Sequence, residues 1–201
     1  MRTTPQPLIA VLSSVPDFRR AEGKRHQLSS ILGMVCAATL CGYCSYGAMA
    51  EWGRNYGADL ALALGFKNGK TPCVGTLHAV LSGLDHQALE NVLSQWAAEV
   101  LAACEANGTL SAEEASVIAI DGKCLRGSAR QGAPGTHLLA ALSPVLGLTL
   151  AQRAVNDKSN EITAVQEVLE GLLLEGRIVT VDALLTQRQI AATIIVKKGT
   201  I

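Results

Sequence analysis

The chain has 201 residues, 17 basic against 17 acidic side chains, and 49% apolar against 17% charged residues. That balance excludes an intrinsically disordered chain and any global positive field announcing a nucleic-acid partner; the length admits one large domain or two small ones. Aromatic residues are only 3%, so the core must rest on closely packed Ala, Leu, Val and Ile.

The charge is unevenly laid out. Residues 1–28 hold five basic groups, Arg2, Arg19, Arg20, Lys24 and Arg25, against Asp17 and Glu22. Residues 85–120 hold six acids and no Lys or Arg, and residues 121–160 return to five bases against two acids. The alternation suits docking of a polyanion by two segments with a spacer between them, and it also suits an uneven solvated surface.

In chain order, the first region, to about residue 110, reads as helical. Leu28, Ile31, Leu32, Val35 and Cys36 begin a stripe at three- and four-residue spacing. The uncharged run Gln27–Ala50 is long enough to cross a bilayer, but its serines, tyrosines and three glycines favour a buried small-residue helix. Cys41-Gly42-Tyr43-Cys44 has the spacing of a zinc or redox pair. No second Cys/His pair and no preceding strand support either chemistry, so the six cysteines read as small buried thiols of a reducing cytoplasm. The clearest helix starts at Asp85 as N-cap, carries Leu89, Val92, Leu93, Trp96, Val100 and Leu101 on one face, and stops at Asn107-Gly108. Trp96 reads as core.

The second region, 111–201, changes texture. Val117–Ile120, His137–Leu142 and Leu148–Val155 predict three strands; Ile162–Leu174 predicts a helix. Ile178–Val181 predicts a fourth strand, and Gln187–Ile195 a last helix. Strand–strand–strand–helix–strand–helix is the opening order of a ribonuclease-H-like α/β fold. Asp121 and Asp182 each follow an apolar strand, so parallel neighbouring strands would bring both carboxylates to one sheet edge. Two such carboxylates suit a divalent cation pair serving in-line phosphoryl substitution, and magnesium prefers hard oxygen ligands. Taken alone, an aspartate after a strand is more often a turn or helix cap.

Ile118-Ala119-Ile120-Asp121-Gly122-Lys123 with Leu125-Arg126-Gly127 resembles the first-aspartate motif of the H-repeat-associated, DDE-type insertion-sequence transposases. Lys158-Ser159-Asn160-Glu161-Ile162 and Val179-Thr180-Val181-Asp182-Ala183-Leu184, followed by Thr186-Gln187-Arg188, resemble two further blocks of that family. Val15-Pro16-Asp17, Arg19-Arg20 and Gly23-Lys24-Arg25-His26 resemble its associated helical domain, so the likeness runs in order along nearly the whole chain. The resemblance implies a helical, DNA-binding N-terminal domain (1–110) and an incomplete ribonuclease-H-like catalytic domain (111–201). It implies Asp121 and Asp182 as the first two catalytic, metal-binding carboxylates, with Mg2+ as cofactor and insertion-sequence DNA ends as partner. Lys123 and Arg126 are then candidates for DNA phosphates, and Arg19, Arg20, Lys24 and Arg25 for the backbone of the terminal repeats.

Three departures accompany the likeness. The family's glutamate lies beyond Ile201, Leu185 stands where histidine is expected, and Lys198-Gly199 is followed at once by the last residues. The expectation is a truncated, inactive transposase fragment, from a disrupted gene or a first reading frame ending near Lys197-Lys198, with the Ile178–Val181 strand left as an exposed edge. The alternatives are a cytoplasmic product that binds DNA or pairs with full-length transposase without catalysis, and a membrane-associated protein built on residues 27–50.

Overall fold

The computed structural model describes residues 4–125, 128, 135–155 and 161–201, which divide into two compact units. One is Gln6–Trp96; the other is Ala97–Ile201, to which Thr4 and Pro5 also belong.

The first unit is helical. Its elements are α1 (Leu8–Val11), α2 (Leu28–Leu40), α3 (Tyr46–Asn55), α4 (Gly57–Ala63), α5 (Val74–Gly83) and the first half of α6 (His86–Ala106). The long uncharged run is therefore two helices. α2 stops after 13 residues because Gly42 takes a left-handed conformation (φ 87°) that lets its N–H reach Thr39 O and the Tyr43 N–H reach Ala38 O. Ser45 then caps α3, its hydroxyl accepting from the Ala48 N–H at 3.2 Å. Thirteen residues rise only about 20 Å, short of the roughly 30 Å of a hydrocarbon core. No helix among the described residues is long and apolar enough to cross a membrane.

Ile31, Met34, Trp52, Phe66, Leu77 and Val80 form the centre of this unit's core. Trp96 differs from the sequence expectation: it is half-buried and its indole N–H donates to Gln6 O at 2.9 Å, while Trp52 is the indole in the core. The cysteines differ too. Cys41, Cys44, Cys73 and Cys124 are exposed and Cys36 and Cys104 half-buried, because turns and helix ends hold most of them at the surface.

α6 begins as expected, with Asp85 accepting from the Ala88 N–H at 3.0 Å, and ends at Gly108 (φ 67°). From Ala97 onward it belongs to the second unit. There α7 (Ala112–Ser116) opens with a reciprocal Ser111–Glu114 capping box and leads into β1 (Val117–Leu125). β2 (Thr136–Ser143), β3 (Leu148–Val155), α8 (Glu161–Glu170), β4 (Ile178–Val181) and α9 (Arg188–Val196) follow. The sheet order is β3-β2-β1-β4, with antiparallel β1/β2 and β2/β3 and parallel β1/β4. This is a mixed helix-and-sheet architecture.

Alternation decides which sheet face is dry. Ile118, Ile120, Leu139, Ala141 and Val179 are buried and share a core with Val165, Val168 and Leu169 of α8 and Ile190 and Ile194 of α9. α8 ends earlier than its apolar spacing suggests. The Lys197 ammonium donates to the carbonyls of Leu169 (2.6 Å), Glu170 (2.8 Å) and Leu172 (2.8 Å), closing the helix where its dipole is negative. Leu174 then turns into the core instead of continuing the helix.

The outer edge of β4 is partly covered rather than bare. Val179 N–H donates to Thr200 O at 2.7 Å and Thr200 N–H to Arg177 O at 2.8 Å, a parallel bridge between Ile178 and Thr200. The chain reaches that position through a second left-handed stop: Lys198 (φ 59°) ends α9, its N–H bonded to Ile195 O and that of Gly199 to Ile194 O.

Candidate functional site

The register of β1 and β4 brings the two aspartates together. Ile118 pairs with Val179, Ala119 with Thr180 and Ile120 with Val181, so the next position in each strand is an aspartate: Asp121 beside Asp182. Neighbouring strands lie about 4.8 Å apart. Paired residues share a face, and Ile118, Ile120 and Val179 occupy the dry one. Asp121 and Asp182 therefore project with Ala119 and Thr180 from the opposite face, where both are exposed.

Two details refine the geometry. β1 does not stop at Asp121; Gly122 to Leu125 stay paired with Leu139 to Thr136 of β2, so Asp121 sits inside a long strand. Lys123, two residues on, is exposed on the same face as Asp121. Asp182 follows the end of β4 and opens a short 3-10 turn, Ala183–Leu185. Its backbone carbonyl accepts from the Leu185 N–H (2.9 Å) and the Thr186 hydroxyl (3.1 Å), but its side chain does not cap the turn. The usual structural use of an aspartate after a strand is thus not made here. Among the described residues no side chain or backbone donor bonds either carboxylate.

Leu185, in that turn, is buried in the sheet core, and its aliphatic side chain brings no polar atom to the aspartates. Arg126 and the Lys158-Ser159-Asn160 block lie outside the described residues; Glu161 is the first residue of α8. Among the described residues no group of three or more His, Cys, Asp or Glu side chains is placed to hold a metal ion.

The basic candidates of the helical unit divide into two kinds. Arg19 is bound bidentately to Asp17 (2.9 and 3.0 Å) and also donates to His26 O at 2.9 Å, so it closes the loop between residues 17 and 26. Lys24 approaches the same carboxylate at 3.4 Å. Arg20 and Arg25 are exposed and have no ion pair among the described residues. The Arg19 guanidinium, ahead of its backbone N–H and Lys24, holds the Asp17 carboxyl down at about 2 against the burial that opposes it.

A pH signature follows from that depressed value. The stabilisation is fully present above the ordinary carboxyl range near 4 and is lost as pH falls through about 2, since the folded form binds its proton more weakly than the unfolded chain. Asp17→Asn is expected to lower stability at pH 7 and to flatten the stability profile between about pH 4 and pH 2. Urea unfolding across that window measures it; parallel profiles for the two proteins would refute the role of the Asp17–Arg19 pair.

Known proteins add identity to this geometry. The family model described as DDE_Tnp_1-associated matches residues 9–97, nearly coincident with the helical unit. The protein named Putative transposase YncI of Escherichia coli K12 is 34% identical over 198 residues, covering 96% of this chain and 75% of its own length. H repeat-associated putative transposase YbfD of the same strain is 31% identical, covering 93% of this chain and 71% of its own. H repeat-associated putative transposase YhhI is 32% identical over 93% of this chain but 47% of its own, so the chain spans about half the length of the longer relatives it matches. No solved structure matches the chain significantly. The chain belongs to the H repeat-associated transposase family.

Proposed function

We propose that this chain supplies the first two carboxylates of a DDE-type, ribonuclease-H-like transposase centre acting on DNA ends by metal-dependent phosphoryl transfer. The observation that carries the reading is the Ile120–Val181 register, which sets Asp121 beside Asp182 on an exposed face, both carboxylates unpartnered among the described residues. The sheet order β3-β2-β1-β4, with β4 parallel to β1 and an isolated parallel bridge between Ile178 and Thr200, supports the fold half of the proposal.

The residues fit magnesium. Two hard-oxygen carboxylates side by side repel one another until a cation lies between them, and magnesium is commonly held by one or two carboxylates with water filling its remaining positions. Bound there, it would supply charge stabilisation for the attacking and leaving oxygens of an in-line substitution. Lys123, on the same face beyond Asp121, would hold a DNA phosphate and so orient the strand, and Arg126 would act with it. Of the four basic candidates in the loop of residues 17–26, Arg20 and Arg25 would meet phosphate, with Arg19 and Lys24 shaping that loop around Asp17.

Two carboxylates give binding, and turnover needs a third acid that the described residues do not bring to Asp121 and Asp182. The 201-residue chain alone is therefore read as a DNA-binding and metal-binding product without strand transfer, able to pair with a complete transposase. Manganese titration followed by NMR tests the metal half. Paramagnetic broadening is expected first at the amides of residues 119–123 and 180–184, and is expected to vanish in the Asp121→Asn/Asp182→Asn double variant. Broadening elsewhere, or broadening that the double variant retains, would overturn the assignment.

A further inference from the structure

The helical unit contains a cavity of about 650 Å³ that the aspartate site does not explain. Its walls come from two stretches of chain about 45 residues apart, Arg19–His26 and Asn68–Thr76. Phe66 anchors the second stretch: it is buried, and a turn with Gly69 in the left-handed region (φ 61°) returns the Gly69 N–H to Phe66 O at 2.8 Å. That turn presents Asn68 and Lys70 to the cavity. The His26 ring meets the Phe66 ring edge-on at 5.3 Å, and Arg19 holds His26 through its carbonyl, so the two walls are fixed to each other.

We propose that this cavity is a binding site for a phosphate group of a nucleic-acid strand, with Arg25 and Lys70 as its cationic ligands. The inference rests on the reading of the helical unit as DNA-binding, and it adds Lys70 and the residues beside it, which the sequence did not single out. Arg25 and Lys70 are exposed and have no carboxylate partner among the described residues. Arg19, Arg25 and Lys70 line the cavity with Glu22 as the acid on its wall, and Arg19 is already paired with Asp17, so Arg25 and Lys70 are the wall cations left to a ligand. The donors match a tetrahedral oxyanion: a guanidinium, an ammonium, the Asn68 amide and the Thr76 hydroxyl. The first turn of α5 opens at the same wall, where Cys73 Sγ and Thr76 Oγ1 lie 3.4 Å apart. Burial first, then Arg25 and Arg19, push the His26 imidazole below its usual range, and the Thr76 hydroxyl and backbone N–H lower the Cys73 thiol.

Fluorescence anisotropy with the intact 201-residue protein and a labelled DNA duplex, across a range of salt concentrations, tests the proposal. Arg25→Gln and Lys70→Gln are each expected to weaken binding several-fold at low salt and to reduce the salt slope by about one, since each released phosphate contact contributes roughly 0.9 to it. Lys70→Arg, which keeps the charge, should retain binding, and thermal melts of all variants should overlay. Wild-type binding with both glutamine variants unchanged would overturn this site while leaving the DNA reading in place. A wild-type protein that fails to bind duplex at all would remove both.

Discussion

Asparagine at position 121 or 182 is expected to reduce DNA strand transfer on the order of 10³-fold or more in a polypeptide that also carries the remaining length of the longer relatives. The substitution keeps the shape of each side chain and removes the charge proposed to gather a divalent cation. Both aspartates are exposed and, among the described residues, their carboxylates bond to nothing, so the fold should tolerate the change: unfolding midpoints of the variants should match the parent. That separation of activity from stability is the useful part of the experiment. A structural aspartate would lose both together. The 201-residue polypeptide alone, given magnesium and DNA carrying the element ends, is expected to yield no product. Cleavage by that polypeptide, surviving Asp121→Asn, would refute the two-aspartate assignment outright.

The strands of the second unit were legible because their apolar runs are short, β-branched and bounded by Gly, Pro or Asp, which is what a pleated half-buried surface selects. Asp121 and Asp182 were legible for the same reason, as polar residues breaking two apolar strands. Their meeting at one sheet edge was legible only on the condition that the two strands are parallel neighbours, and that condition rests on the β1/β4 register, a property of two segments far apart in the chain. The division of the run 27–50 was written in Gly42, a glycine in the position where a helix needs a left-handed residue, followed by the N-cap Ser45. Composition drew attention away from that signal. The roles of Arg19 and Lys24 are a different failure. A cluster of cations near residue 20 predicts a phosphate-binding surface, and only the fold shows two of them turned onto Asp17. Lys70 was invisible for the converse reason: an isolated lysine in a Gly-rich turn gains meaning only when the fold brings it to Arg25.

On the proposed reading the face carrying the aspartates is open to DNA, and paired alanine substitutions in β2 test that directly. Leu139 is fully buried, pairs with Gly122, and places its Cδ1 3.9 Å from where a Gly122 side chain would begin. It belongs to the core shared with α8 and α9, so Leu139→Ala removes buried methyl groups and leaves a cavity that rigid strand backbones cannot close. The expected loss is about 3 kcal/mol, a large part of the stability of a domain this size. Leu138 is its neighbour in sequence and its opposite in space. It pairs with Lys123, is half-buried, and lies outside the hydrophobic core, on the face of Asp121. Leu138→Ala is therefore expected to lose about 1 kcal/mol or less, because most of the surface removed was already partly hydrated. Urea unfolding with a common m-value gives both numbers, and the midpoints should separate by about 1 M or more. Equal losses at the two positions would mean that the aspartate face is packed in solution. A packed face could not receive a DNA strand at Asp121 and Asp182, and the catalytic reading would fail on stability data alone.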